Sequence, residues 1–212
     1  MAERVAIIGT GNVGSALGQR LAEQGHVITY GSRNPQRAEL ARLVAATGAG
    51  ASAQTQAEAV RDAEVVILAI PWDAVEVVMA ELGALEGRII IDPTNPRRID
   101  DDGFRDYAFD GSNAERIQAL APQASVVKAF STLGTGTMLD PSIAGGPVSI
   151  PIAGDDRAAN ALVATMAAEM GLEPVEVGPL RFARVLEGLH FLRYNAGVIK
   201  QRFNYYLRPS NE

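Results

Sequence analysis

The stretch VAIIGTGNVGSALGQRL, beginning at Val5, constrains this chain more than any other. A short apolar run breaks on Gly9, Gly11 and Gly14, and helical spacing follows at once. Glycines at this spacing, between a strand and a helix, suit a backbone that must receive an anion. Gly9 permits the tight turn, Gly11 admits a pyrophosphate to the main chain, and Gly14 lets the helix pack close to the strand. The free N–H groups of the helix start, with the positive end of its dipole, then bind the phosphates. A glycine-rich turn without a ligand is the plainer alternative. The motif's place, directly after the first strand, argues against it.

Apolar runs alternate with helical patterns along the rest of the chain. Strands are expected at 4–8, 27–31, 64–70, 88–92, 125–130, 148–154 and 173–178, with a weak one near 50–53. Helices are expected at 12–25, at 35–47 with Pro35 in the first turn, near 72–82, near 112–120 and near 155–170. This alternation predicts an α/β fold: a Rossmann-type, doubly wound, mostly parallel sheet with a small helical C-terminal part. The division falls at Pro179. Residues 1–178 form the nucleotide-binding domain. Residues 179–212 form a helical segment, one long helix or two over 180–207. The polar tail after Arg208 is expected to fray.

Composition narrows the function classes. The 212 residues include 19 Lys+Arg against 25 Asp+Glu, a formal charge of −6, with no basic run to suggest nucleic acid. There are no cysteines, which excludes disulfides, thiolate nucleophiles and Cys-ligated metals. His26 and His190, the two histidines, lie too far apart in sequence to suggest a metal site. No stretch approaches the 18 apolar residues of a membrane span, and the N-terminus reads as a strand rather than a signal peptide. A cytoplasmic location is expected.

The second strand runs into TYGSRNPQR. Folds selective for NAD place a carboxylate here to hold the ribose hydroxyls. In this chain Gly31 occupies that place, and no carboxylate follows until Glu39. Ser32, Arg33 and Asn34 stand instead. A guanidinium pairs bidentately with phosphate, and hydroxyl and amide groups donate to it. The segment therefore points to NADP(H), with its 2′-phosphate, over NAD(H). As a helix cap with a solvated arginine it would mean nothing. Arg37, one turn on, either assists or faces water.

The other strand ends supply further candidates. AIPWDAV brings Ile70, Pro71 and Trp72, whose ring is either core or a wall of the ribose–nicotinamide path. DPTNPRR stiffens a turn around Thr94 and Asn95. KAFSTLGTGTM is a polar loop that touches a substrate or merely connects, and Lys128 reads as a strand-end charge.

These segments, with PIAGDD and VGPLRFARVLE, resemble the NADPH:coenzyme F420 oxidoreductases and their bacterial NADP-binding relatives. They follow the family's order over nearly the whole chain. The glycine loop and GSR are also similar to the cytosolic domains of membrane metalloreductases. The resemblance implies hydride exchange between NADPH and C5 of a deazaflavin, coenzyme F420. It implies that Thr10, Gly11, Asn12 and Val13 meet the pyrophosphate, Ser32 and Arg33 the 2′-phosphate, and Ile70 and Pro71 the nicotinamide. GLHFLRYNAGVIKQRFNYY matches the family least.

Direct hydride transfer between flat rings needs positioning more than proton chemistry. No catalytic acid, base or metal ligand stands out. A β-hydroxyacid dehydrogenase would carry a lysine one helical turn before an asparagine. Here Asn195 precedes Lys200 by five residues. His190 is a conceivable proton donor, though a lone histidine on an apolar helix is more often structural. Two alternatives stay open: a flavin or ferric reductase, and an NADP(H)-binding redox sensor without turnover. Phe182, Phe191, Tyr194, Phe203, Tyr205 and Tyr206 crowd the C-terminal segment, as a homodimer interface, as stacking walls or as core.

Overall fold

The computed structural model describes residues 2–48, 50–201, 203, 206–208 and 210. Tyr205, one of the C-terminal aromatics singled out above, lies outside the described residues. The strands are β1 (Arg4–Ile8), β2 (Val27–Gly31), β3 (Ser52–Gln54), β4 (Val65–Leu68), β5 (Ile89–Asp92), β6 (Arg98–Ile99), β7 (Arg105–Asp106), β8 (Ser125–Lys128), β9 (Ser149–Gly154) and β10 (Glu173–Gly178). The helices are α1 (Asn12–Glu23), α2 (Ala38–Thr47), α3 (Gln56–Ala59), α4 (Val75–Leu82), α5 (Asn113–Leu120), α6 (Thr135–Leu139), α7 (Arg157–Glu169) and α8 (Ala183–Val198).

Eight strands form one sheet in the order β10-β9-β8-β5-β4-β1-β2-β3, and every neighbouring pair is parallel except β8 with β9. The central strands are apolar on both sides because helices cover both faces. Val5 and Ile7 enter one core with Leu17, Leu21 and Val163. Ala6 and Ile8 enter the other with Val78, Ile117 and Leu180. The architecture is the α/β, mostly parallel, doubly wound sheet expected from the alternation.

Local chemistry moves several boundaries. Pro35 does not open α2. Ser32 and Asn34 instead bond within their own turn, and the helix begins at Ala38. A one-turn helix, α3, was hidden at Gln56–Ala59, where Thr55 and Glu58 form a reciprocal capping box of side chain and backbone. The C-terminal helical pattern is one helix that stops at Val198, short of 207. Lys200 turns left-handed (φ 62), and the Gln201 N–H returns to the Ala196 carbonyl at 2.8 Å. A small antiparallel hairpin, β6–β7, fills a segment that alternation did not mark. Asn195 clamps it to α8, accepting from the Arg105 N–H at 2.7 Å and donating to the Arg105 carbonyl at 2.8 Å.

Candidate functional site

The strand order reverses direction between β1 and β4, and sheets of this kind bind ligands beyond the carboxyl ends at such a point. A cleft of about 800 Å³ opens there. Its floor is the glycine loop. Gly9 has φ 101, and a Cβ there would fall 2.2 Å from the Ala69 carbonyl oxygen. At Gly14 a Cβ would fall 2.1 Å from the Gly9 carbonyl oxygen. Both glycines serve the protein's own packing. Gly11 differs, since a Cβ on it would meet nothing within 4 Å. It caps α1 without a side-chain bond, and no acid stands in the first turn. The N–H groups of Asn12, Val13 and Gly14 are therefore the unclaimed donors of a helix start beside open space, a cradle that fits a pyrophosphate.

Gly9, Thr10, Gly11, Ser32, Arg33, Asn34, Ile70 and Pro71 all line this cleft. Asn12 and Val13 sit in the first turn of α1, and Gly14 is buried beneath it. At the end of β2 the Ser32 hydroxyl is shared with the Asn34 main chain, and Asn34 Oδ1 accepts from the Gln36 N–H at 3.3 Å. Those two side chains shape the turn that holds Arg33 exposed on the rim. Arg37 lines the same rim and donates to the Thr10 hydroxyl, so it faces the cleft rather than bulk water alone. The wall from the 3₁₀ turn Trp72–Ala74 and α4 adds Asp73 and Glu81. The rim around Ser32 thus carries two guanidinium groups, those of Arg33 and Arg37.

A second cleft, of about 350 Å³, adjoins the first through Ile70, Pro71 and Asp73, which line both. Trp72, Pro93, Thr94, Asn95, Arg97 and His190 complete it. Trp72 is half-buried on the wall, 6.0 Å from the Phe109 ring, and so is not core. Asn95 donates to the Ser131 carbonyl at 2.9 Å, where the loop after β8 turns through a left-handed Phe130 (φ 63). His190, which the sequence left between proton donor and structural residue, reaches this cleft from α8. Its Nδ1 lies 3.3 Å from Asn95 Nδ2 and its Nε2 lies 3.4 Å from Arg105 Nη1. Burial, then the charges of Arg105, Arg97 and Arg193, push its pKa down to about 3. The ring is a neutral imidazole at physiological pH and not a proton donor.

Beneath this cleft lies a cluster the sequence concealed. Lys128, at the end of β8, is fully buried beside Asp92, its register partner at the end of β5. Its Nζ donates to Asp92 Oδ2 at 2.9 Å, to Glu187 Oε1 at 2.7 Å, and to the Thr94 carbonyl. Glu187 Oε1 also accepts from the Asn113 N–H at 3.0 Å, and Asn113 Nδ2 donates to the Thr94 hydroxyl at 2.7 Å. Two carboxylates share one ammonium here. Burial pushes the Glu187 carboxyl up to about 7, against the pull of Lys128. Lys128 is thus a strand-end charge that is fully buried, an internal counter-ion that fixes α8 to the strand ends. Its partners lie 36 and 59 residues away, so nothing near it in the chain announced this role.

Residues 4–96 match the family model described as NADP oxidoreductase, coenzyme F420-dependent. The F420-dependent NADP reductase of Methanothermobacter marburgensis is 31% identical, over 98% of this chain and 98% of its own length. Metalloreductase STEAP3 of Rattus norvegicus is 32% identical over 89% of this chain, which spans 36% of that protein's length. Among solved structures, a candidate F420-dependent NADP reductase from Arthrobacter sp. FB24 superposes with a TM-score of 0.87 at 28% identity, covering 98% of this chain and all of that one. Among the described residues no helix is long and apolar enough to cross a membrane.

Proposed function

Because this chain belongs to the F420-dependent NADP reductase family, a family of oxidoreductases, we propose that it exchanges a hydride between NADPH and a deazaflavin, coenzyme F420. The observation that carries this reading is the wall shared by the two clefts at Ile70 and Pro71. Hydride transfer needs donor and acceptor carbons about 3–3.5 Å apart with their faces aligned. Two adjoining clefts with a common edge suit that demand.

The residues then divide the work. Gly11, Asn12 and Val13 hold the pyrophosphate on the start of α1. Arg33, with Ser32, Asn34 and Arg37 around it, holds the 2′-phosphate. Ile70 and Pro71 back the nicotinamide, and Trp72 and Asn95 border the acceptor. NADPH held there would supply a hydride to C5 of the deazaflavin, and the ring nitrogen's proton would come from solvent. No side chain need act as acid or base, in keeping with a neutral His190. Residues 179–212 act as the cover of the acceptor site. The enzyme works in the cytoplasm as a homodimer, a reading supported by the exposed apolar side chains of α8, Val185 and Leu192. Sedimentation at twice the 22.4 kDa chain mass checks the dimer.

The test is a steady-state assay with NADPH and oxidised coenzyme F420, following the long-wavelength absorbance of the deazaflavin. Turnover with NADPH, and at least tenfold less with NADH, is expected. NADPH binding without turnover of any acceptor would replace this reading with the redox sensor. Reduction of flavins or ferric chelates in place of the deazaflavin would favour the metalloreductase-like activity, a reading supported by the similarity to part of STEAP3.

A further inference from the structure

The buried cluster under the smaller cleft holds one carboxyl more than its ammonium balances. Lys128 directs its N–H donors to Asp92, Glu187 and the Thr94 carbonyl. Asp92 is complete: Oδ2 accepts from Lys128, and Oδ1 accepts from the Thr94 N–H at 2.8 Å. Glu187 is not. Its Oε1 accepts from Lys128 and the Asn113 N–H, but its Oε2 is buried without a partner. Asn113 Oδ1 is a second acceptor left in the same state.

A proton on Glu187 Oε2 turns one of these acceptors into a donor and gives Asn113 Oδ1 its partner. It also leaves one carboxylate facing one ammonium. Turning the Asn113 amide over would fill Oε2 as well, but with two buried carboxylates on a single cation, a costly arrangement. The other charged and titratable groups around α8 are engaged elsewhere. On α5, Glu115 bonds Ser112 and Arg116 pairs with Glu76. On β7 and just after it, Arg105 lies over Tyr194, Asp106 pairs with Arg98, and the Tyr107 hydroxyl donates to the Arg184 carbonyl. Arg181, ahead of α8, lies over the Phe182 ring, and β9 carries no titratable side chain. On α8 itself Arg184 pairs with Asp110, His190 lines the smaller cleft, and Arg193 lines a separate one with Thr132.

Thr94 hangs wholly on this cluster. Its N–H goes to Asp92, its carbonyl accepts from Lys128, and its hydroxyl accepts from Asn113 Nδ2 at 2.7 Å. A hydroxyl that accepts from an amide keeps its own hydrogen for another partner. Thr94 lines the smaller cleft.

We propose that Glu187 is a positioning residue that carries a proton in the folded protein and, through Asn113, sets the Thr94 hydroxyl as a hydrogen-bond donor to the ligand of the smaller cleft. When that proton leaves to solvent, Oε2 claims Asn113 Nδ2. The amide turns over, its Oδ1 takes the Thr94 hydroxyl hydrogen, and the cleft loses a donor. Burial raises the Glu187 carboxyl to about 7, so the exchange falls near neutral pH. The proton site is independent of the ligand, while its effect on turnover rests on the acceptor reading given above.

Infrared difference spectra should show the C=O stretch of a buried neutral carboxyl vanishing as pH rises through about 7. The Asn113 side-chain amide resonances should shift with it. Glu187→Gln, which keeps a donor for Asn113, should lose both changes. Asp92→Asn, which leaves Lys128 to Glu187 alone, should move them to lower pH. For coenzyme F420, the ratio of KM in the unmodified protein to KM in Glu187→Gln cancels the acceptor's own titration. Across the same range it should climb from about one to about fivefold, the worth of one hydrogen bond, while NADPH affinity stays level. Thr94→Val should hold KM at its high-pH value throughout, and Thr94→Ser should restore the rise. A carboxyl band that survives Glu187→Gln overturns the proton. A level KM ratio, or an NADPH affinity that moves with it, overturns the link to the cleft. Spectral changes without any reduction of coenzyme F420 would uphold the proton and remove the acceptor reading, together with the effect on turnover.

Discussion

The two clefts are built by opposite means. The floor and rim of the larger come from one continuous stretch of chain, β1–α1–β2 and the turn after it, where helix N–H groups face open space, and only its far wall is brought by residues 69–81. The smaller is made from side chains on the ends of β4 and β5, held by a two-strand hairpin and a C-terminal helix. A phosphate is recognised by donors that any backbone supplies, so its site is local and general. The smaller cleft depends on particular side chains, and they come from distant segments: Asn95 and His190 meet there from 95 residues apart.

If this contrast is right, the two clefts should fail separately. Lys128→Met is expected to have the largest effect, about 3–5 kcal/mol of lost stability in denaturant titration, because it leaves Asp92 and Glu187 buried without their counter-ion. In the protein that remains folded, NADPH affinity should be nearly unchanged while acceptor KM rises. A matching loss of NADPH binding would show that the clefts are one unit.

Gly14→Ala and Gly11→Ala divide the first cleft by the same logic. Adding a methyl at Gly14 should destabilise by roughly 2–4 kcal/mol, since it drives a Cβ into the Gly9 carbonyl. At Gly11 the protein should unfold within about 1 kcal/mol of the original, yet titration should show NADPH weakened by on the order of tenfold or more. Arg33→Ala should weaken NADPH by about 10–100-fold, or 1.5–3 kcal/mol, and leave NADH where it was. Equal losses for both nucleotides would remove the 2′-phosphate from that rim.

The smallest effect concerns pH. The Glu187 carboxyl is raised to about 7 in the fold from an ordinary value of 4.5. Its contribution to stability is therefore full below about pH 4.5 and lost as pH rises to about 7. Glu187→Gln should flatten the stability profile across that window, by on the order of 1–2 kcal/mol at its upper end. His190 acts in the opposite sense. With its pKa lowered to about 3, it favours the fold above pH 6.5 and less as pH falls below that, and this limb should survive the substitution.

What the sequence revealed follows the same division. The strand–loop–helix and the missing acid after β2 were legible because each is written in consecutive residues. Trp72 resisted because an aromatic after a strand reads the same in a core as on a wall. The β6–β7 hairpin resisted because its strands are two residues long, with no alternation to read, and are held by Asn195 from 90 residues away. Lys128 resisted because a lysine's burial depends wholly on where its counter-ions arrive. Even Pro35 misled, since the bonding of Ser32 and Asn34 within their turn outweighed the preference of proline for a helix's first turn.

Helices packed by apolar contacts can slide past one another by small amounts in shear motions. α8 is denied that freedom, because Glu187 is bonded at 2.7 Å to Lys128 and acts as an indexing pin. His190 follows three positions later, on the same side of the helix. One residue inserted between them would swing the imidazole about 100° around the axis and out of the cleft. The spacing of these two residues is therefore a gauge: any sequence that keeps Glu187 and Lys128 but alters that interval has given up this smaller cleft, however well the rest of it folds.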